Sequence, residues 1–162
     1  MNQELEKIIA DFESATGYLL EIRDGRPYYR GDLDLENVTE ITSLPKDLTV
    51  GGYLYLQGTS ITSLPEGLTV GGSLSLENCT VITSLPEGLT VGGFLDLRGT
   101  GITSLPDGLT VGGSFYLRGT SITDTSNVTR TPSAEARKKI NDVRNRPITW
   151  KRDGREYIKV DG

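Results

Sequence analysis

Histidine is absent from this 162-residue chain, and cysteine, methionine and tryptophan occur once each. Without histidine the commonest general base and the commonest zinc ligand are gone. A single Cys79 forms no internal disulfide and no thiolate cluster for zinc. No apolar run approaches the ~18 residues that a membrane-crossing helix needs. The start, Met-Asn-Gln-Glu-Leu-Glu-Lys, has no basic stretch followed by an apolar block, so no secretory signal is read there. These gaps set the expectations: a non-catalytic protein with no catalytic residue, no metal site and no cofactor, lying in the cytoplasm and not at a membrane.

Charge of one sign is scarce in each part of the chain. Residues 1–129 carry 7 Lys/Arg against 17 Asp/Glu, and residues 130–162 carry 10 against 5. The net charge of −5 thus joins an acidic body to a basic tail. A basic tail packs well on an acidic neighbour and also suits nucleic acid or an anionic surface. Its candidate contacts for the latter are Arg137, Lys138, Lys139, Arg144 and Arg146.

What the chain has in abundance is repetition. Ile-Thr-Ser-Leu-Pro-x-x-Leu-Thr-Val-Gly-Gly-x-Leu-x-Leu recurs from Ile41, Ile61, Ile82 and Ile102, with Phe115 for one Leu; a further copy starts at Ile122 and stops after Thr123. A period of about twenty residues marks a solenoid built by stacking one unit. After each Gly-Gly, x-Leu-x-Leu alternates like a half-buried strand. The inward residues are Leu33/Leu35, Leu54/Leu56, Leu74/Leu76, Leu95/Leu97 and Phe115/Leu117, and six aliphatics per coil are expected to be buried. Leu-Pro leaves no room for a helix on the return side, which is expected to be extended or a tight turn. A Thr two residues before each leading Ile (Thr39, Thr59, Thr80, Thr100, Thr120) is expected to stack into one column. The Gly-Gly pairs are read as aids to tight turning.

Both flanks share one design. Leu5, Ile8, Ile9 and Phe12 make an apolar stripe on a helix from Asn2 to Thr16, capped by Asn2 and ended by Gly17. A hairpin around Asp24-Gly25 follows. After the repeats, Ser133 opens a second helix to about Asn145, and a second hairpin is centred on Asp153-Gly154. The organisation read is an N-terminal cap over 1–30, a solenoid of about five coils over 31–123, and a C-terminal cap over 124–162.

Leu54-Tyr55-Leu56-Gln57-Gly58-Thr59-Ser60-Ile61 resembles the leucine-rich repeat pattern Leu-x-Leu-x-x-Asn/Cys-x-Leu, with Thr in the Asn place. Leu64-Pro65-Glu66-Gly67-Leu68 is similar to the short Leu-Pro-type repeats of bacterial and phage-encoded proteins. The resemblance covers residues 32–123. It implies a curved solenoid with a parallel sheet on its concave side, a binding role, and a host-cell cytoplasmic setting if phage-encoded. Relatives with ubiquitin-ligase activity carry a large extra domain that does not follow the repeats here.

Function is expected in the positions that the repeat leaves free. Pointing outward from successive strands are Asp32, Asp34, Glu36; Tyr53, Tyr55, Gln57; Ser73, Ser75, Glu77; Phe94, Asp96, Arg98; and Ser114, Tyr116, Arg118. Exposed aromatics with nearby Arg match interface hot spots. The expected partner-binding set is Tyr53, Tyr55, Gln57, Phe94, Asp96, Arg98, Tyr116 and Arg118, and the partner is a protein. The alternatives are nucleic acid on the basic C-terminal helix and glycan on the aromatic face. Asp32, Asp34 and Glu36 are read as edge charges that block sheet-to-sheet pairing, in preference to a calcium site.

Overall fold

In the computed structural model, residues 3–130, 133–146, 148–152 and 155–159 are described. Helix α1 spans Gln3–Thr16, followed by strands β1 (Glu21–Arg23) and β2 (Arg26–Tyr29). The Leu-x-Leu segments form β3 (Leu33–Asp34), β5 (Leu54–Tyr55), β7 (Leu74–Ser75), β9 (Leu95–Asp96) and β11 (Phe115–Tyr116). Between them lie β4 (Thr49–Val50), β6 (Thr69–Val70), β8 (Thr90–Val91) and β10 (Thr110–Val111). Helix α2 (Ser133–Arg144) and strands β12 (Ile148–Arg152) and β13 (Arg155–Lys159) complete the chain.

The molecule is a parallel β-solenoid, and each coil supplies two strands instead of one. The Leu strands stack in the order β11-β9-β7-β5-β3, each in parallel register with the next. The Thr-Val strands stack as a second parallel ladder. This second ladder is the feature the periodicity did not announce. Thr-Val is β-branched throughout and follows a four-residue turn, so the chain leaves the turn extended. Pro65 O accepts the Leu68 N–H at 3.4 Å, and Gly67 takes φ +74° as the third residue of that turn. Val faces in and Thr faces out. In the second full coil Leu54, Leu56, Ile61, Leu64, Leu68 and Val70 are all buried, the six aliphatics expected.

At the Gly-Gly corners the φ angles are not left-handed, and the requirement is space. A Cβ on Gly71 would stand 2.4 Å from Gly51 O, and one on Gly72 would stand 2.8 Å from Gly52 C. Gly-Gly therefore lets one coil rest directly on the backbone of the last.

The Thr column is offset from the expected one. Asn37 and Asn78 adopt φ +60° and +61°, as Gly58 and Gly99 adopt +70° and +69°. They match those glycines, so the extra residue in these two copies comes after them. The column is accordingly Val38, Thr59, Cys79, Thr100 and Thr120, whose N–H groups donate to Leu35, Leu56, Leu76, Leu97 and Leu117 O. Thr39 and Thr80 are exposed instead. Thr59 and Thr100 Oγ1 also donate to those carbonyls, each at 2.8 Å, whereas Cys79 Sγ reaches back to Leu56 O at 3.1 Å. Burial pushes the Cys79 thiol up, partly offset by its contacts with Gly58 and Thr59. A raised pKa leaves little thiolate at neutral pH. Cys79 is therefore expected to resist a thiol reagent in native protein and to react as urea opens the coil; rapid labelling without denaturant would contradict this.

Helix α1 closes the N-terminal end. Its Ile9 and Phe12 are buried in one cluster with Leu33, Leu35 and Ile41. Gly17 at φ +75° ends it, its N–H donating to Glu13 O at 2.9 Å. The expected cap at Asn2 lies outside the described residues. Asp24 and Gly25 are both left-handed, as a two-residue hairpin between β1 and β2 requires. β2 then pairs in parallel with β4, so the hairpin continues the Thr-Val ladder.

The segment after the repeats does not stay at the C-terminal end. Strand β12 pairs with β1, and the Thr-Val sheet reads β10-β8-β6-β4-β2-β1-β12-β13. Helix α2 returns across the Thr side of that sheet. Lys139 Nζ donates to Thr90 Oγ1 at 3.1 Å, Ile140 lies against Gly71, and Arg144 O accepts from Arg23. Ile140 and Val143 are buried, as are Thr49 and Thr90 on the strands beneath. The segment is thus a strap running the length of the stack. The turn expected at 153–154 lies outside the described residues, although β12 and β13 on either side of it pair antiparallel. At the C-terminal end, Phe115, Leu117 and Val128 stay partly buried and β11 is an edge strand. Thr129 bridges Thr110 there, and the Arg130 guanidinium covers the Phe115 ring at 4.7 Å.

Candidate functional site

The outer side of the Leu sheet carries the residues that vary between copies. Strand pairing places Asp34, Tyr55, Ser75, Asp96 and Tyr116 in one row across the five strands. Backbone hydrogen bonds align Glu36, Gln57, Glu77, Arg98 and Arg118 in the row beside it, with Asp32, Tyr53, Ser73, Phe94 and Ser114 on the other side.

The aromatics form two pairs. Tyr53 and Tyr55 have ring centroids 5.9 Å apart, and Phe94 meets Tyr116 edge to face at 5.5 Å. Between the pairs lies β7, whose outward residues are serines. Ser73 and Ser75 are only 3% and 4% exposed although they point away from the core. Ser73 Oγ accepts the Phe94 N–H at 3.0 Å. The two pairs stand on either side of these serines, with Tyr53 41% and Tyr116 46% exposed.

Two members of the expected set are tied up within the chain. Asp96 is buried and holds Arg98 through Nε at 2.9 Å and Nη2 at 2.6 Å. Arg98 also pairs with Glu77 at 3.0 Å and sits 5.8 Å from the Tyr116 ring centroid. Hydrogen bonding to Asp96 raises the Arg98 pKa further. The pair sits beside the Phe94–Tyr116 rings, with Asp96 enclosed and the Arg98 side chain 42% exposed. Arg118, in contrast, is exposed and has no ion-pair partner among the described residues. Gln57 Oε1 is shielded from solvent and has no hydrogen-bond donor among the described residues.

At the opposite edge, Asp32 Oδ1 accepts the Tyr53 N–H at 2.8 Å and Asp34 Oδ1 accepts the Glu36 N–H at 3.1 Å. Asp34 thus trims the backbone of the edge strand and Asp32 that of the next coil, while both remain exposed. Their field reaches Tyr55, whose pKa is raised first by burial and then by Asp32, Tyr53 and Asp34. Among the described residues no group of three His, Cys, Asp or Glu side chains is arranged to hold a metal ion. No described helix is long and apolar enough to cross a membrane.

The basic helix α2 presents Arg137, Lys138 and Arg144 to solvent. Lys139 is engaged with Thr90, and Arg146 pairs with Asp24 at 3.0 Å. The acidic body and the basic tail therefore meet at the strap. Comparison of the chain with protein-family models, with curated proteins and with solved structures returns no match.

Proposed function

We propose that the chain is a leucine-rich repeat protein, a non-catalytic module that binds a protein partner through the outer face of the Leu sheet. The observation that carries this reading is the pair of aromatic couples, Tyr53–Tyr55 and Phe94–Tyr116, standing on a frame that hardly changes between coils. Exposed aromatic clusters rimmed by charge are where binding energy concentrates. The repeat kinship is supported by the column Val38, Thr59, Cys79, Thr100 and Thr120, which fills the Asn/Cys place of the pattern. A cytoplasmic setting suits a buried, unpaired cysteine.

Replacing Tyr55 and Tyr116 together with Ser is expected to change the unfolding free energy by no more than about 1 kcal/mol, since both sit outside the core. Partner affinity is expected to drop about thirtyfold or more, the loss of roughly 2 kcal/mol typical of a hot spot. Undiminished capture of partners from native-cell lysate by the doubly substituted protein would refute the reading. The exposed Arg137, Lys138 and Arg144 favour a second reading, binding of nucleic acid along α2, which a gel shift that weakens steeply with salt would support.

A further inference from the structure

The outer face of the Leu sheet is electrically polar along the stacking axis. At its β3 edge Asp32, Asp34 and Glu36 are exposed, and none has a cationic partner among the described residues. At its β11 edge stands Arg118, exposed and without an ion-pair partner among the described residues. Between them Arg98 is shared by Asp96 and Glu77, so the one cation there is already engaged. The middle carries two ring pairs, one on either side of two covered serines. Gln57 Oε1, without a donor among the described residues, lies toward the acidic side.

We propose that this face takes an extended peptide segment laid along the solenoid axis. The peptide's cationic end lies over Asp34 and Glu36, its anionic end at Arg118, and its apolar side chains on the two aromatic pairs. The inference rests on the protein-binding reading above and gives the partner its chemistry.

Dimensions favour a single extended segment. The β3 and β11 edges are four strand spacings apart, ~19 Å, which an extended chain covers in about six residues. The face is about 24 Å long and about three residues wide, roughly 240 Å², against ~800 Å² per partner in a stable globular interface. A second folded copy, docked about a two-fold axis through β7, would also set Glu36 on Arg118. It would bury too little area on this face to hold.

The test is selection of displayed random octapeptides on the purified full chain. Peptides with a cation and an anion at opposite ends, separated by apolar residues, are expected to be enriched. Binding of a chosen peptide should weaken roughly fivefold with Arg118→Glu and with Glu36→Lys, and fall with added salt. Selection on Arg118→Glu protein should turn toward peptides with cations at both ends, a change that a merely structural role of Arg118 would not produce. Enriched peptides that lack charge order but lose affinity with Tyr55→Ser and Tyr116→Ser would overturn this inference and leave the protein-binding reading intact. Peptides indifferent to the charge and the tyrosine substitutions alike would overturn both. A sedimentation profile showing a dimer that Arg118→Glu dissociates, with no peptide enriched, would also overturn it and assign the face to self-association.

Discussion

Leu74→Ala is expected to destabilise the protein by about 3–5 kcal/mol, near the top of the range for a buried leucine. Leu74 is fully enclosed on β7, the central Leu strand, with Leu54 and Leu95 in register on either side. Both neighbours are held by their own ladders, and Gly-Gly corners already stack backbone on backbone. The coils above and below cannot settle into the vacated space, so the cavity term stays large. Leu117→Ala makes the comparison. Leu117 is the other inward residue of the last Leu strand, the counterpart of Leu76, and it is only partly buried. Its loss is expected to cost about 1 kcal/mol, because less apolar area leaves water there to begin with. Urea unfolding of the two variants beside the parent would measure both. Equal losses would show that the end coil is as well supported as the middle, contrary to the burial pattern. Stability in such stacks is carried between nearest neighbours. The Leu74→Ala transition is therefore also expected to broaden, as the two halves of the stack lose their shared coil.

The second large effect is expected at Arg23. This side chain is only 4% exposed although it lies in a hairpin of charged residues. Its Nε donates to Glu21 at 2.8 Å, its Nη1 donates to Arg144 O and Arg146 O, and its guanidinium lies 4.8 Å from the centre of the Tyr28 ring. One cation thus joins β1 to the end of α2. Arg23→Leu keeps the volume and removes every donor. The carbonyls at the end of α2 lose their partner, and a buried acceptor without a donor costs about 1–3 kcal/mol. Glu21 retains access to water, so the loss stays below that of a wholly buried ion pair. A net cost of about 2–3 kcal/mol is expected for docking the strap, equivalent to roughly 30- to 150-fold faster amide exchange along α2. Amides of β5, β7 and β9 are expected to keep their protection, since α2 is absent from the Leu side of the stack. Unaltered exchange in α2 would show that Arg23 does not hold the strap; equal acceleration in the Leu ladder would show that strap and stack open as one unit.

Much of this architecture was legible in the letters. The twenty-residue period, the six inward aliphatics and the capping helix with Ile9 and Phe12 all follow from patterns whose physics is local. The paired Asp24-Gly25 turn is of the same kind. Three features were not local. Thr-Val is too short to announce a strand, and its ladder exists only because the preceding turn and the next coil hold it extended. The offset of Cys79 against Thr80 was hidden by letter identity: the eye aligns Thr with Thr, whereas the chain aligns the left-handed Asn78 with Gly99. The amphipathic stripe of Ile140 and Val143 said that α2 covers something, but not which surface. The candidate face was readable to the same degree. Its aromatic members were visible as variation on a constant frame. The burial of Asp96 beneath Arg98 was not, because alternation assigns a side to a residue without saying what its neighbours will lay over it.

The strap also sets a limit on copy number. Helix α2 has twelve residues and so covers about 18 Å of the five strand spacings, ~24 Å, that separate β10 from β1. The chain leaves the last coil beside Thr110 and must reach β1 at the far end to seat β12. An additional coil would lengthen that journey by one spacing, and about three further helical residues would be needed to restore the fit. The stack can gain or lose a unit only if the rod that measures it changes in step.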